Sequence, residues 1–202
     1  MKSIEFETKS LDEAKAFAAN ELRIGPEFLD VEVIDKKGLM IKTYTVRATV
    51  NVDPAEVGYE ALKTMMDDME IEANIEMRRK SEHEIAYTIQ TDENPLLIGK
   101  NGKTLESIQF YIRNLVSVFA EERTIVLVDI GGYKANRKRQ LEILATKTAK
   151  NVARTQIATK LEPMNAYERR IIHTKLSDWR DVVTESEGEG HDRHLIIKPK
   201  RK

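Results

Sequence analysis

Across the first 52 residues the spacing of apolar positions changes twice. SIEFET, residues 3–8, alternates apolar and polar side chains, the two-residue repeat of a half-buried strand. SLDEAKAFAANELRI, residues 10–24, moves to helical spacing, with Ser10 placed as N-cap and Gly25-Pro26 as the stop. FLDVEVIDKK and MIKTYTVRATV then return to β-branched alternation on either side of Gly38. The pattern predicts a small β-α-β-β domain over residues 1–52.

Asp53-Pro54 marks a boundary, and Pro54 suits the first position of a helix running on through Met69. IEANIEMRR and EHEIAYTIQT alternate around a polar turn at Lys80-Ser81 and predict a hairpin. A short helical turn, ENPLLI, leads into Gly99-Lys100-Asn101-Gly102. The helix that follows places Leu105, Ile108, Ile112, Leu115, Val116 and Phe119 on one face, and TIVLVDI supplies another strand. Residues 53–132 thus read α-β-β-α-α-β. Beyond Gly131-Gly132 a long helix is expected through YKANRKRQLEILATKTAKNVARTQ, then an extended piece near Ala158 to Glu162, a helix from Asn165 to Leu176, and strands DVVTESE and RHLIIKP before the basic tail KPKRK. The fold class is α+β: two small mixed domains, a long connecting helix and a third small α/β domain over residues 133–202.

With 41% hydrophobic and 33% charged residues the chain has the composition of a folded globular protein. No cysteine is present, which excludes disulfides, thiol catalysis and thiolate metal sites. No apolar run approaches the roughly 20 residues of a membrane span, and MKSIEFETKS lacks the apolar core of a signal peptide, so a cytoplasmic location is expected. The net charge of −1 hides a division along the chain. Residues 1–80 carry 12 Lys/Arg against 17 Asp/Glu, a net −5, whereas residues 131–202 carry 17 against 9, a net +8. A basic C-terminal region of this kind suits a polyanion, although solvated helix faces are also often basic.

The glycine loop refines that reading. A nucleotide-hydrolysing loop needs G-x-x-x-x-G-K-[ST] so that successive N–H groups wrap the phosphates. Gly102-Lys103-Thr104 supplies the ending, but Leu97 stands where the first glycine belongs and a helical turn precedes the loop instead of a strand. What remains is G-x-x-G between two helices, where the backbone of Gly99 and Gly102 lets a phosphodiester chain approach and the next helix offers free N–H groups. Lys100 and Lys103 add positive charge, and Asn101 completes the loop. This is how a KH domain clamps single-stranded nucleic acid, and α-β-β-α-α-β is the element order of the type II KH fold.

In NAYERRIIHTKL, Arg169 and His173 stand four residues apart on one helical face. Alone, such a pair is more often a solvated surface. Here it is followed by a turn with Gly188 and Gly190 and by a strand opening on Arg193-His194, an order that resembles the R-three-H (Arg-x-x-x-His) domain, which binds single-stranded nucleic acid. LLIGKNGKTLESIQF, VDIGGYKANRKRQLEILA, LEPMNAYERRIIHTKL and TESEGEGHDRHLIIKP together resemble the Jag family, also called SpoIIIJ-associated, KhpB or EloR, over residues 54–202. The resemblance implies RNA binding linked to cell elongation, division or envelope biogenesis. It assigns nucleic-acid contact to Gly99, Lys100, Asn101, Gly102, Arg169 and His173, with Lys103 and Arg193 beside them. It also implies single-stranded DNA as a second ligand of the C-terminal domain, and either self-association or pairing with a small KH protein, KhpA. KKGLMIKTYTVRATV resembles the family's Jag-N domain loosely: it keeps a Lys-Lys-Gly-Leu start and lacks the glycine-rich turn. Val50 runs almost directly to Pro54, with none of the long charged linker many relatives carry.

Two other readings compete. For an enzyme the polar candidates are His83, His173, His191 and His194; HDRH has too few ligands for an established zinc pattern, and no nucleophile elbow or kinase signature appears. Neither catalysis, a metal nor a cofactor is expected. For a scaffold, Met65, Met66 and Met69 offer a soft interface, though methionines at this spacing more often fill a core. Trp179 is expected to be buried, and Tyr133 is a candidate for stacking on a base.

Overall fold

The computed structural model describes residues 2–38 and 42–200. The chain divides into two compact units, Met1–Gly131 and Gly132–Lys202.

In the first unit, β1 (Ser3–Thr8), α1 (Leu11–Leu22), β2 (Leu29–Lys37) and β3 (Thr43–Val50) form the expected β-α-β-β order. The strands make an antiparallel sheet ordered β1-β3-β2, with Phe6 opposite Val46 and Val31 opposite Ala48. The reading of a strand from Met40 falls partly on residues 39–41, outside the described residues. Two local expectations change. Ser10 precedes α1, yet its side chain caps nothing: its N–H donates to the Thr8 hydroxyl at 3.2 Å and its carbonyl accepts from that hydroxyl at 2.9 Å, a local turn that competes with capping. The helix also ends earlier than Gly25. Arg23 takes a left-handed conformation with φ 56°, and Ile24 N–H returns to the Ala19 carbonyl at 3.1 Å.

The same unit continues through α2 (Pro54–Asp68), β4 (Asn74–Ser81), β5 (Glu84–Gln90), α3 (Asn94–Ile98), α4 (Lys103–Phe119) and β6 (Ile125–Ile130). This second sheet is ordered β4-β5-β6, its first pair antiparallel and its second parallel. β4 starts three residues later than the alternation suggests, because Glu70 turns left-handed and the buried Ile71 donates to the Met66 carbonyl at 2.9 Å, closing α2. Gly58 on α2 admits a close neighbour: a Cβ there would lie 2.3 Å from the Tyr87 hydroxyl, which donates to the Ala55 carbonyl at 2.8 Å. Burial pushes the Tyr87 phenol well above its usual range.

The apolar stripe of α4 covers the full length of this region. Leu105, Ile108, Ile112, Val116 and Phe119 are all buried. Its last member enters the core of the N-terminal sheet, with Phe119 edge-on to Phe28 at 5.3 Å beside Ala18, Leu22, Leu29 and Val50. Val57 of α2 and Leu115 border the same cluster.

The second unit contains α5 (Tyr133–Thr155), β7 (Thr159–Lys160), α6 (Ala166–Leu176), β8 (Val182–Glu187) and β9 (His194–Pro199). β9 is the centre of an antiparallel sheet ordered β7-β9-β8. Leu141, Ala145, Ala149 and Val152 of α5 and Ile172 and Leu176 of α6 close over Val182, Leu195 and Ile197, with Trp179 half-buried against them. At the start of α6, Asn165 accepts from the Glu168 N–H at 2.9 Å, and the buried Glu168 carboxylate accepts from Arg137 Nε at 2.7 Å.

Two expectations concern stability. Burial raises the Asp53 carboxyl, but the hydrogen bond and charge of Arg79 and the Ala55 N–H outweigh it and hold the group below its ordinary range. The charged form therefore stabilises the fold at neutral pH, and this contribution is lost as the pH falls through the lowered folded-state value. Asp53→Ala will cost about 1 kcal/mol through removal of the N-cap. Asp53→Asn keeps the cap oxygen and loses only the charge, so its deficit in a pH series of thermal melts will close on acidification. In the second unit, Arg137→Ala strands the buried Glu168 carboxylate and will cost on the order of 3 kcal/mol. Converting both residues to leucine will recover most of that loss, as read by denaturant titration.

Candidate nucleic-acid interface

The glycine loop owes its shape to two close constraints. Gly99 ends α3 with φ 69° and ψ −176°, its N–H donating to the Pro95 carbonyl at 3.0 Å. A Cβ at Gly99 would stand 2.1 Å from Thr104 Oγ1 and 3.1 Å from the Thr104 backbone nitrogen, so the loop backbone lies directly against the first turn of α4. Asn101 (φ 54°) and Gly102 (φ 79°) both take the left-handed conformation, which asparagine and glycine tolerate best. Gly102 is the N-cap of α4 and brings no side-chain acceptor; the Lys103 N–H bonds back to the Lys100 carbonyl, and the positive end of the helix dipole lies beside Lys100, Asn101 and Lys103, all exposed. A helix start of this kind beside two lysines can hold a phosphate or another anion. Leu96 and Phe110 are exposed on the neighbouring helices, with Arg113 over the Phe110 ring at 5.2 Å.

In the second unit, Arg169 and His173 share a face of α6, and the structure ties both to their surroundings. Arg169 is half-buried and donates from Nη1 to the Met164 carbonyl at 2.7 Å; Met164 N–H in turn donates to the Arg193 carbonyl at 3.2 Å. The backbone at Arg193 is thereby joined to the Arg169 support, while the Arg193 side chain is exposed. A guanidinium has five N–H donors, so one fixed hydrogen bond orients Arg169 and leaves others for a ligand. His173 is exposed and shares a 2.6 Å hydrogen bond between Nδ1 and Thr184 Oγ1 on β8, with Nε2 left over. The glycine loop stands in the first unit and this face in the second.

The remaining histidines are separated in role. His194 is buried with Nδ1 on the Asp192 carbonyl at 2.8 Å, His191 is exposed, and His83 lies 3.5 Å from a Glu122 carboxylate oxygen. Among the described residues no group of three or more His, Asp or Glu side chains is arranged to hold a metal ion. Tyr133 is half-buried. Of the methionines, Met66 is buried, Met65 half-buried and Met69 exposed. Sequence reasoning missed Thr104, Met164, Thr184 and the Arg137–Glu168 pair. Asn165 three residues before Glu168 was a visible capping signal, but nothing in the sequence points to Arg137, 31 positions away.

Residues 139–199 match the R-three-H domain, which places the second unit in a recognised domain class. Over the whole chain the similarity is to proteins named RNA-binding protein KhpB. The one from Clostridium symbiosum is 35% identical over 199 residues, covering 96% of this chain and 90% of that protein. The one from Bacillus subtilis is 30% identical over 209 residues, covering all of both. A third, from Streptococcus pneumoniae, is 27% identical and is matched over 58% of its length. The chain belongs to the KhpB (Jag) family.

The loop geometry makes a direct test. Gly99→Ala meets both an unfavourable φ and the Thr104 clash and will destabilise the first unit by about 1 to 3 kcal/mol. Lys100→Ala, at an exposed position, will stay within about 0.5 kcal/mol of the parent. Thermal melts compare the two.

Proposed function

We propose that this protein binds single-stranded RNA through two surfaces, a type II KH domain over residues 53–132 and the R-three-H domain that follows it, with residues 1–52 as a Jag-N-like domain. The observation that carries the reading is the loop at Gly99 to Gly102: two glycines, a left-handed asparagine and an uncapped helix N-terminus, flanked by Lys100 and Lys103. The α-β-β-α-α-β order and the parallel β5–β6 pair support the KH assignment. Kinship supports the ligand, since the relatives are named for RNA binding.

In this reading the loop backbone takes the phosphates and leaves the bases to the exposed Leu96 and Phe110 side chains on α3 and α4. Arg169, held by Met164, and His173, held by Thr184, meet the strand at the second surface, with Arg193 close by. Single-stranded DNA is an additional ligand there. No step of chemistry is assigned, and prolonged incubation with labelled RNA and a divalent metal will leave the RNA intact. Family resemblance alone carries the wider role, post-transcriptional regulation of cell elongation, division or envelope biogenesis in the cytoplasm. No helix among the described residues is long and apolar enough to cross a membrane.

A second reading rests on α4, whose Phe110 and Tyr111 are 59% and 51% exposed. Exposed aromatic side chains are favoured interface anchors, so this face also suits a second copy of the chain or a small KH protein. Sedimentation of the chain alone, with and without RNA, separates the two uses.

Replacing Lys100 and Asn101 together by Asp puts negative charge where a phosphate would sit and touches no buried side chain. Affinity for a mixed-sequence single-stranded RNA will fall at least tenfold while the melting temperature holds. In addition, a long RNA will bind more tightly than one that covers the loop alone, because engagement of the second surface becomes intramolecular. Arg169→Ala with His173→Ala will remove that advantage. Unchanged affinity in the loop variant, with an unchanged melt, would defeat the role assigned to the loop.

A further inference from the structure

α5 carries a second basic surface that the Arg-x-x-x-His face does not include. At about 100° per residue, Arg139, Ile143, Lys147, Lys150 and Arg154 fall within an arc of about 80° along a rise of roughly 22 Å. Arg139, Ile143, Lys147 and Lys150 line an open groove of about 420 Å³ closed on its far side by Lys175 of α6. Glu142 is the only carboxylate in its lining. None of these cations is ion-paired with a described residue; Arg154 only reaches the Asn151 side-chain oxygen at 3.3 Å. Lys175 follows His173 by two positions, about 200° further around the helix, so the groove and the Arg169–His173 face occupy opposite flanks of α6.

The lining narrows the kind of partner. Protein interfaces concentrate aromatic and aliphatic anchors at their centre. This groove has no aromatic side chain, and its one large apolar side chain is Ile143, 61% exposed. Like charges this close repel one another in the free protein, and an extended polyanion relieves that repulsion along the whole row. Lysine ammonium and arginine guanidinium groups spaced along one straight helix match a regular line of phosphates without reading bases.

We infer that this α5–α6 groove is a sequence-independent track for the phosphodiester backbone of RNA, separate from the loop and from the Arg169–His173 face. The inference rests on the RNA-binding reading above and extends it. Lys147, Lys150 and Lys175 neutralise phosphates, and Arg139 and Arg154 continue the row at either end. The groove lengthens the bound site and strengthens its salt dependence, while selection among sequences stays with the other two surfaces.

Lysine acetylation footprinting with mass spectrometry tests this on the full chain, free and saturated with a long mixed-sequence RNA. Lys147, Lys150 and Lys175 should lose reactivity in the complex, while Lys9 and Lys15 of the first unit keep theirs. In parallel, Lys147→Gln, Lys150→Gln and Lys175→Gln are combined, a change at exposed positions whose melt should match the parent. The log–log slope of affinity against salt should become shallower by about 0.7 for each phosphate no longer neutralised, about 2 for all three. If the three lysines react equally in the complex and the slope is unchanged, while the Lys100/Asn101 variant loses binding, the groove belongs to another partner such as an acidic protein, and the inference is overturned with the RNA reading intact. If the parent protein binds no RNA, both fall together.

Discussion

The buried stripe of α4 is the interaction on which the first unit depends. A small sheet gains its stability from an apolar face packed against a helix, and α4 packs Leu105 to Phe119 inward, with Leu115 and Phe119 reaching the core of the N-terminal sheet. The N-terminal end of the stripe fixes the first turn of α4, against which Gly99 is pressed. At its C-terminal end Phe119 packs on Phe28 in the core of the other sheet. The glycine loop is thus the start of the helix that holds the unit together, which fixes the loop backbone without any side-chain cap.

The second unit achieves similar rigidity by different means. Beside its apolar core, the buried Arg137–Glu168 pair joins the start of α5 to the first turn of α6. Arg169 is the next residue along from that pair. Arg169 and His173 each make one fixed hydrogen bond, to Met164 and Thr184, and so enter any encounter with their orientation set. Preorganisation of this kind reduces the ordering cost of binding.

Much of this was legible in the sequence, and the reasons for the rest are physical. The α4 stripe was visible because a helix facing a sheet repeats its apolar residues at a spacing no strand shares, and Leu115 is the one named position that is half-buried instead of buried. The glycine loop was visible because few residues other than glycine and asparagine accept positive φ. The early end of α1 was not, since Arg23 in a left-handed conformation contradicts local preference and is held by the packing of Ile24. The support of Arg169 by a backbone carbonyl left no trace either, because a carbonyl is present at every position. The charge count located the basic region but could not divide it between two flanks of α6.

Ultraviolet cross-linking of the intact chain to a single-stranded RNA, followed by mapping of the adducted peptides, tests the proposed binding mode most directly. Binding through both surfaces predicts adducts on peptides containing Gly99 to Lys103 and on those spanning Arg169 to His173, both abolished by excess unlabelled RNA. Adducts confined to residues 1–52, or absent from both surfaces under conditions of saturated binding, would contradict it.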